Sequence, residues 1–129
     1  MFELNTRILV VEDASSMRAM IVKALNELGY NDIIEAEDGE KGFDALLTAQ
    51  PKVGLILADW DMPKCTGLQL LKLVRATPDF SKVPYIMVTA KSEMSNTLEA
   101  VKEGVSNFIV KPFTVDILRE KFKAVANKK

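Results

Sequence analysis

Histidine is absent from the 129 residues. That absence excludes Ser-His-Asp and Cys-His nucleophile pairs and every histidine-based zinc site. Cysteine occurs once, as Cys65, so no intramolecular disulfide can form and no thiolate cage can hold a metal. A reducing, cytoplasmic setting is expected. No apolar run approaches the roughly 18 residues that suggest a membrane span. The start, Met1-Phe2-Glu3-Leu4-Asn5, lacks the basic-then-apolar order of a signal peptide. Neither sign of charge dominates: 17 Lys and Arg stand against 18 Asp and Glu, for a net charge of −1. Such a balance gives no global attraction to nucleic acid or to an acidic membrane. Chemistry, if the chain performs any, must run on Asp, Glu, Lys, Ser, Thr or a metal held by oxygen.

What is present is a globular composition, 48% hydrophobic and 27% charged, in a length that suits one domain over residues 1–129. A soluble protein is expected. Short apolar runs alternate with segments of helical period. Ile8-Leu9-Val10-Val11 reads as a buried strand, and Met17, Met20, Ile21, Ala24, Leu25 and Leu28 as one face of the helix after it, with Gly29 as its C-terminal cap. Ile33 to Ala36 is a second strand, Asp38-Gly39 its turn, and a helix is expected from about Gly42 to Thr48. Val53 to Ala58, the most hydrophobic strand, belongs in the centre, and Leu68, Leu71 and Val74 mark the next helix. Tyr85 to Val88 is a fourth strand, with Leu98, Val101 and Val105 on the buried side of the following helix and its exit. Phe108 to Val110 is a fifth strand, and Val115, Leu118, Phe122 and Val125 form the last stripe. Strict β–α alternation predicts an α/β fold, a parallel sheet with helices on both faces.

In open parallel sheets ligands bind outside the carboxyl ends of the strands. The first strand ends in Glu12-Asp13, the third in Asp59-Trp60-Asp61, the fourth in Thr89, and the fifth in Lys111-Pro112. Taken singly, each has a plain explanation. Asp13 suits a helix cap or turn, Thr89 a turn, and Lys111 and Asp61 solvated charges. Together the fold would bring them to one edge. Three carboxylates, of Glu12, Asp13 and Asp59, face one ammonium, and a divalent cation would cancel the remainder. Oxygen-only donors select Mg²⁺ or Mn²⁺. Without histidine the credible nucleophile is a carboxylate, which can accept a phosphoryl group as an acyl phosphate. Asp59, at the end of the central strand, is best placed to do so. Phosphoryl transfer needs mainly positioning and charge neutralisation, to which Lys111 and the Thr89 hydroxyl would contribute.

In this order and spacing, Ile8 to Asp13 (ILVVED), Ala36 to Gly39 (AEDG), Ala58 to Pro63 (ADWDMP), Met87 to Ala90 (MVTA) and Val110 to Phe113 (VKPF) resemble the receiver domain of bacterial response regulators. Among its members the chain is most similar to the single-domain chemotaxis regulators. The resemblance covers roughly Thr6 to Ala126. It implies a flavodoxin-like (βα)5 three-layer sandwich with strand order 2-1-3-4-5. It also implies that Asp59 is phosphorylated by a histidine kinase. Asp13 is then a direct Mg²⁺ ligand with Glu12 as its acidic neighbour, and Asp61 offers its backbone carbonyl to the metal. Thr89, with Ala90 beside it, and Lys111 contact the phosphoryl group. Phe108 is the aromatic whose rotamer follows activation, and the Lys111-Pro112 bond is expected to be cis. The output surface implied is the fourth helix, fifth strand and fifth helix, with Lys91, Ser92, Met94, Thr97, Phe108 and Lys121 as candidates. The partners implied are a histidine kinase, a phosphatase and a phosphate-dependent target such as the flagellar motor switch, bound by a monomer. No nucleic acid and no membrane is expected.

The sequence departs from that pattern in three places. Glu12 stands where the family often has Asp. Phe108 lacks the hydroxyl of the tyrosine common in chemotaxis regulators, so an inward ring loses a hydrogen bond and suits an apolar pocket better. Asp61 stands where a relative often has asparagine, and an ion pair with Lys91 over the phosphoryl group would slow its hydrolysis. Three other functions compete. One is a relay shuttle or phosphate sink of the same family. Another is a constitutive interaction module, against which the full set Asp13, Asp59, Thr89 and Lys111 speaks. The third is a Mg²⁺-dependent phosphatase of the haloacid-dehalogenase type, in which Asp-x-Asp opens the domain rather than following two βα units.

Overall fold

The computed structural model describes residues 1–90 and 97–127. Five strands alternate with five helices: β1 (Ile8–Val11), α1 (Ser15–Glu27), β2 (Ile33–Ala36), α2 (Gly39–Thr48), β3 (Leu55–Asp59), α3 (Gly67–Ala76), β4 (Tyr85–Ala90), α4 (Thr97–Lys102), β5 (Asn107–Lys111) and α5 (Val115–Ala126). A 3-10 turn, Pro78–Phe80, lies between α3 and β4. The sheet is parallel throughout, in the order β2-β1-β3-β4-β5. β3, a run of five buried residues, is the middle strand.

The pleat sends alternate residues to opposite faces, and both faces are covered. Ile8 and Val10 of β1, with Leu55 and Leu57 of β3, pack against Ile21 and Leu25 of α1 and against Leu118 and Phe122 of α5. Leu9 and Val11, with Ile56 and Ala58, pack against Leu46 of α2, Leu70, Leu71 and Val74 of α3, and Ala100 of α4. Burial on both faces is why these strands read as continuous apolar runs. The result is the three-layer, flavodoxin-like arrangement.

Local signals set the helix ends. At the end of α1, Gly29 takes φ 101°, its N–H donates to Asn26 O, and the Tyr30 N–H donates to Leu25 O. That pair of bonds is a Schellman motif, and the left-handed φ is one that glycine adopts without a Cβ penalty. α3 opens on a capping box between Thr66 and Gln69. The Thr114 hydroxyl accepts from the Ile117 N–H at the start of α5. α1 differs, because its N-cap, Ala14, supplies no side-chain bond.

Three expectations need correction. Asp38-Gly39 is not a free turn. Asp38 caps α2 by accepting from the Lys41 N–H at 2.8 Å, so the helix begins at Gly39 rather than near Gly42. Met20 is 61% exposed, because the buried stripe of α1 runs through Ile21, Ala24 and Leu25. On α4, Leu98 and Val101 are 65% and 57% exposed, and the residue turned to the core is Ala100. At about 100° per residue, Leu98 and Val101 lie well round the helix from Ala100 and so turn away from the core. Lys91, Ser92 and Met94, and the expected Asp61–Lys91 pair, lie outside the described residues.

Candidate functional site

The strand register assembles the site. Val11 of β1 lies opposite Ala58 of β3, so the next residues, Glu12 and Asp59, emerge side by side. Asp59 is level with Val88, Thr89 with Val110, and Ala90 with Lys111. The carboxyl ends of β1, β3, β4 and β5 thus meet at one edge. A cleft of about 380 Å³ opens there, lined by Glu12, Asp13, Ala14, Asp59, Asp61, Ala90 and Lys111. Thr89 does not line it. Its side chain is fully buried, with its hydroxyl 3.3 Å from Ala90 O.

Lys111 ties two carboxylates together. Its Nζ lies 2.8 Å from Asp59 Oδ1 and 3.1 Å from Glu12 Oε1. Burial opposes the lysine's charge, but the Asp59 and Glu12 carboxylates outweigh it and raise the pKa. Glu12 is buried, and its other oxygen, Oε2, accepts from the Ala14 N–H at 3.2 Å. Burial pushes the Glu12 pKa up to about 7, against the pull of the Ala14 bond and with help from the Asp59 charge. The two backbone groups of Glu12 are also held: the N–H donates to Ala36 O at 3.0 Å, and the carbonyl accepts from the Arg18 guanidinium at 2.7 Å.

Among the described residues, Glu12, Asp13 and Asp59 form a group able to hold a metal, each offering an oxygen within 4.8 Å of the others. Asp13 is exposed, and it is Ala14, not Asp13, that occupies the N-cap of α1. With three acids against one paired ammonium and a buried glutamate whose acidity is suppressed, the site is short of positive charge. A hard divalent cation fits this all-oxygen donor set. Asp61 is exposed at the rim and stands outside the group of three.

The remaining candidates spread away from the cleft. The Lys111-Pro112 peptide bond is cis, as is Gln50-Pro51, which the sequence does not mark. Phe108 is half-buried against the α2–α3–α4 side of the core, and its N–H donates to Asn107 Oδ1 at 2.8 Å. Lys121 Nζ lies 3.5 Å from that same oxygen. Thr97 opens α4, half-buried. Two residues that sequence reasoning passes over, Arg18 and Glu35, bear on the site through the Glu12 carbonyl. The only mark of them is a helix start with no side-chain cap, followed four residues on by an arginine.

A parallel α/β sandwich with an acid–lysine site at the carboxyl edge of its sheet is the class that this topology defines, and comparison with known families agrees. The chain belongs to the response regulator receiver domain family, whose model matches residues 8–123. It is 44% identical to a chemotaxis protein CheY homolog of Campylobacter jejuni, over 92% of this chain and 91% of the relative. It is 42% identical to chemotaxis protein CheY1 of Helicobacter pylori, over 92% of this chain and 95% of that one. Its fold is similar to the solved structure of Vibrio cholerae chemotaxis protein CheY4, with a TM-score of 0.85 at 27% identity, covering 94% of this chain and 98% of the other. The chain is therefore the receiver domain of a CheY-like response regulator, a class of signalling switches. Among the described residues no helix is long and apolar enough to cross a membrane.

Proposed function

We propose that this receiver is a chemotaxis switch that accepts a phosphoryl group on Asp59 from a histidine kinase in the cytoplasm. The observation that carries the reading is the Lys111 ammonium held between the Asp59 and Glu12 carboxylates at the floor of an acidic cleft. A carboxylate oxygen of Asp59 attacks the phosphorus of the donor phosphohistidine. The P–N bond breaks, the ring nitrogen keeps the electron pair, and an acyl phosphate forms on Asp59. Lys111 turns its charge to the incoming phosphoryl oxygens, and the Thr89 hydroxyl, near the end of the neighbouring strand, donates a hydrogen bond to one of them. Glu12, Asp13 and Asp59, with the Asp61 carbonyl, would hold Mg²⁺ or Mn²⁺. The ion when bound supplies charge neutralisation for the phosphoryl group.

The signal leaves through packing. Recruitment of Thr89 toward the phosphoryl group empties space beside β5 for the Phe108 ring, and this biases the face formed by α4, β5 and α5 toward a partner. Thr97, Phe108 and Lys121, with Lys91, Ser92 and Met94, are the proposed contacts, and a flagellar motor component is the proposed target. Similarity to chemotaxis proteins favours this over a relay shuttle. Trp60, half-buried and adjacent to Asp59, provides the test. Its fluorescence should change on addition of Mg²⁺ and again with a small phosphoramidate, and the second change should vanish in Asp59→Asn. A phosphoramidate response that survives in Asp59→Asn contradicts the proposal, as does steady turnover of phosphate esters.

A further inference from the structure

We propose that Arg18 is a positioning residue for the cation site, acting through the backbone of Glu12. The inference rests on the metal-binding role assigned above to Glu12, Asp13 and Asp59. The helix that follows the two acids starts at Ala14 without a side-chain cap, so the usual anchor of such a loop is missing. The guanidinium of Arg18, one turn into α1, folds back over that start. Its Nη1 donates to Glu12 O at 2.7 Å, and its Nε donates to Glu35 Oε1 at 3.1 Å. Glu35 sits on β2, opposite Val10 of β1. Arg18 therefore ties the acidic loop to β2, the edge strand of the sheet.

With Arg18 in place, Glu12 is fixed at four points. Its N–H is held by Ala36 O, its carbonyl by Arg18, and its carboxylate by the Ala14 N–H and by Lys111. Asp13 is exposed, and its carboxyl group interacts with that of Glu12, so its direction depends on that neighbour and on the backbone on either side. The Arg18–carbonyl bond restrains the peptide that joins Glu12 to Asp13, and with it the relative orientation of their carboxylates. Removing it frees the peptide that sets their relative orientation, while Glu12 keeps its other three contacts.

Geometry and charge then predict opposite signs. Arg18 is a cation near a cation site, so by Coulomb repulsion alone its removal tightens metal binding. Loss of positioning loosens it. Mg²⁺ demands near-ideal octahedral ligands, whereas Ca²⁺ accepts irregular ones. The two ions therefore separate a positioning role from a general loss of structure. Lysine keeps the charge but presents a single point donor, which cannot bridge a carbonyl and a carboxylate as the guanidinium fork does.

The experiment titrates Mg²⁺ and Ca²⁺ against Trp60 fluorescence in the wild type, Arg18→Met, Arg18→Lys and Glu35→Gln. In the same metal-free proteins, amide exchange is followed at Ala14. We expect Mg²⁺ affinity to fall about 10- to 100-fold in Arg18→Met, the range typical when a partner of a metal ligand is lost. Ca²⁺ affinity should change by less than about 3-fold, as its tolerant coordination implies. Arg18→Lys should recover only part of the loss, Glu35→Gln should show a smaller loss of the same kind, and the Ala14 amide should exchange faster in Arg18→Met. Equal or tighter Mg²⁺ binding in Arg18→Met, or an equal loss for both ions, overturns the proposal while leaving the cation site intact. A wild type that binds no Mg²⁺ overturns the functional reading and this inference together.

Discussion

The Lys111 ammonium on β5 crosses over β4 to lie 2.8 Å from the Asp59 carboxylate on β3. A buried carboxylate without a partner carries a heavy desolvation cost, and this contact offsets part of it for Asp59. The same lysine also holds Glu12. Replacing Lys111 with methionine removes an ammonium contact from each of two buried acids. The expected loss of stability is roughly 1–3 kcal/mol near neutral pH, read by urea denaturation of the metal-free protein. The loss should shrink in mild acid, where Glu12 is protonated. Phosphorylation should slow in the same variant.

The pKa of Glu12 sets a pH dependence. Burial raises it from 4.5 to about 7 in the fold, so the native state holds this proton more tightly than the unfolded chain. The resulting stabilisation is fully present below about pH 4.5, declines as pH rises, and is gone above about pH 7. Its size is on the order of 1–3 kcal/mol. In metal-free protein Glu12→Gln should flatten this part of the stability curve. Mg²⁺ competes with the same proton, so its apparent affinity should climb across that window and level off above it, releasing protons as it binds. Asp59→Asn should lower the Glu12 pKa, because the Asp59 charge is one of the causes that raise it. A titration by NMR reads that shift directly.

Gly67 allows close approach behind the acceptor. A Cβ there would press into the Asp59 carbonyl oxygen and lie 2.7 Å from Met87 Sδ. The Gly67 N–H also donates to Trp60 O, and its carbonyl accepts from the buried Tyr85 hydroxyl at 2.8 Å. Gly67→Ala should therefore cost about 1–3 kcal/mol and displace the Asp59 backbone. Thermal denaturation measures the first effect, and the rate of phosphoryl uptake measures the second.

Leu98 and Val101 are apolar side chains turned to solvent on α4. Changing either to serine should alter stability by less than about 0.5 kcal/mol, as at other surface sites. If α4 belongs to the output face, the same changes should weaken capture of the target by protein carrying a beryllofluoride phosphoryl mimic. An assay of bound partner, paired with the denaturation curve, separates the two roles.

Much of this fold is legible in the sequence because burial on both faces writes each strand as an apolar run. Ile8 to Val11 and Tyr85 to Val88 carry that mark, and the acids, hydroxyl and lysine fall just past the ends of such runs. Strand order was implied by family resemblance, since periodicity does not encode which strands are neighbours. The misplaced side chains share one cause. Met20, Leu98 and Val101 fit a helical stripe by spacing, but spacing alone does not fix how the helix is turned about its axis, and the buried positions are Ile21, Ala24 and Leu25 on α1 and Ala100 on α4. The start of α2 is not legible in the sequence because Asp38, a helix cap, looks like a turn residue until its bond to the Lys41 N–H is seen. The Arg18–Glu35 tie was illegible because it joins α1 to β2 across a parallel pairing, and one sequence does not mark contacts between separate elements.

The most direct test of the account is to locate the phosphoryl group. The protein is incubated with Mg²⁺ and a phosphorylated histidine kinase, reduced with borohydride to trap the acyl phosphate, digested, and read by mass spectrometry. The account predicts a single modified residue, Asp59, with modification lost in Asp59→Asn and strongly reduced in Asp13→Asn. A phosphoryl group found on any other residue, or uptake that persists unchanged in Asp59→Asn, would contradict it.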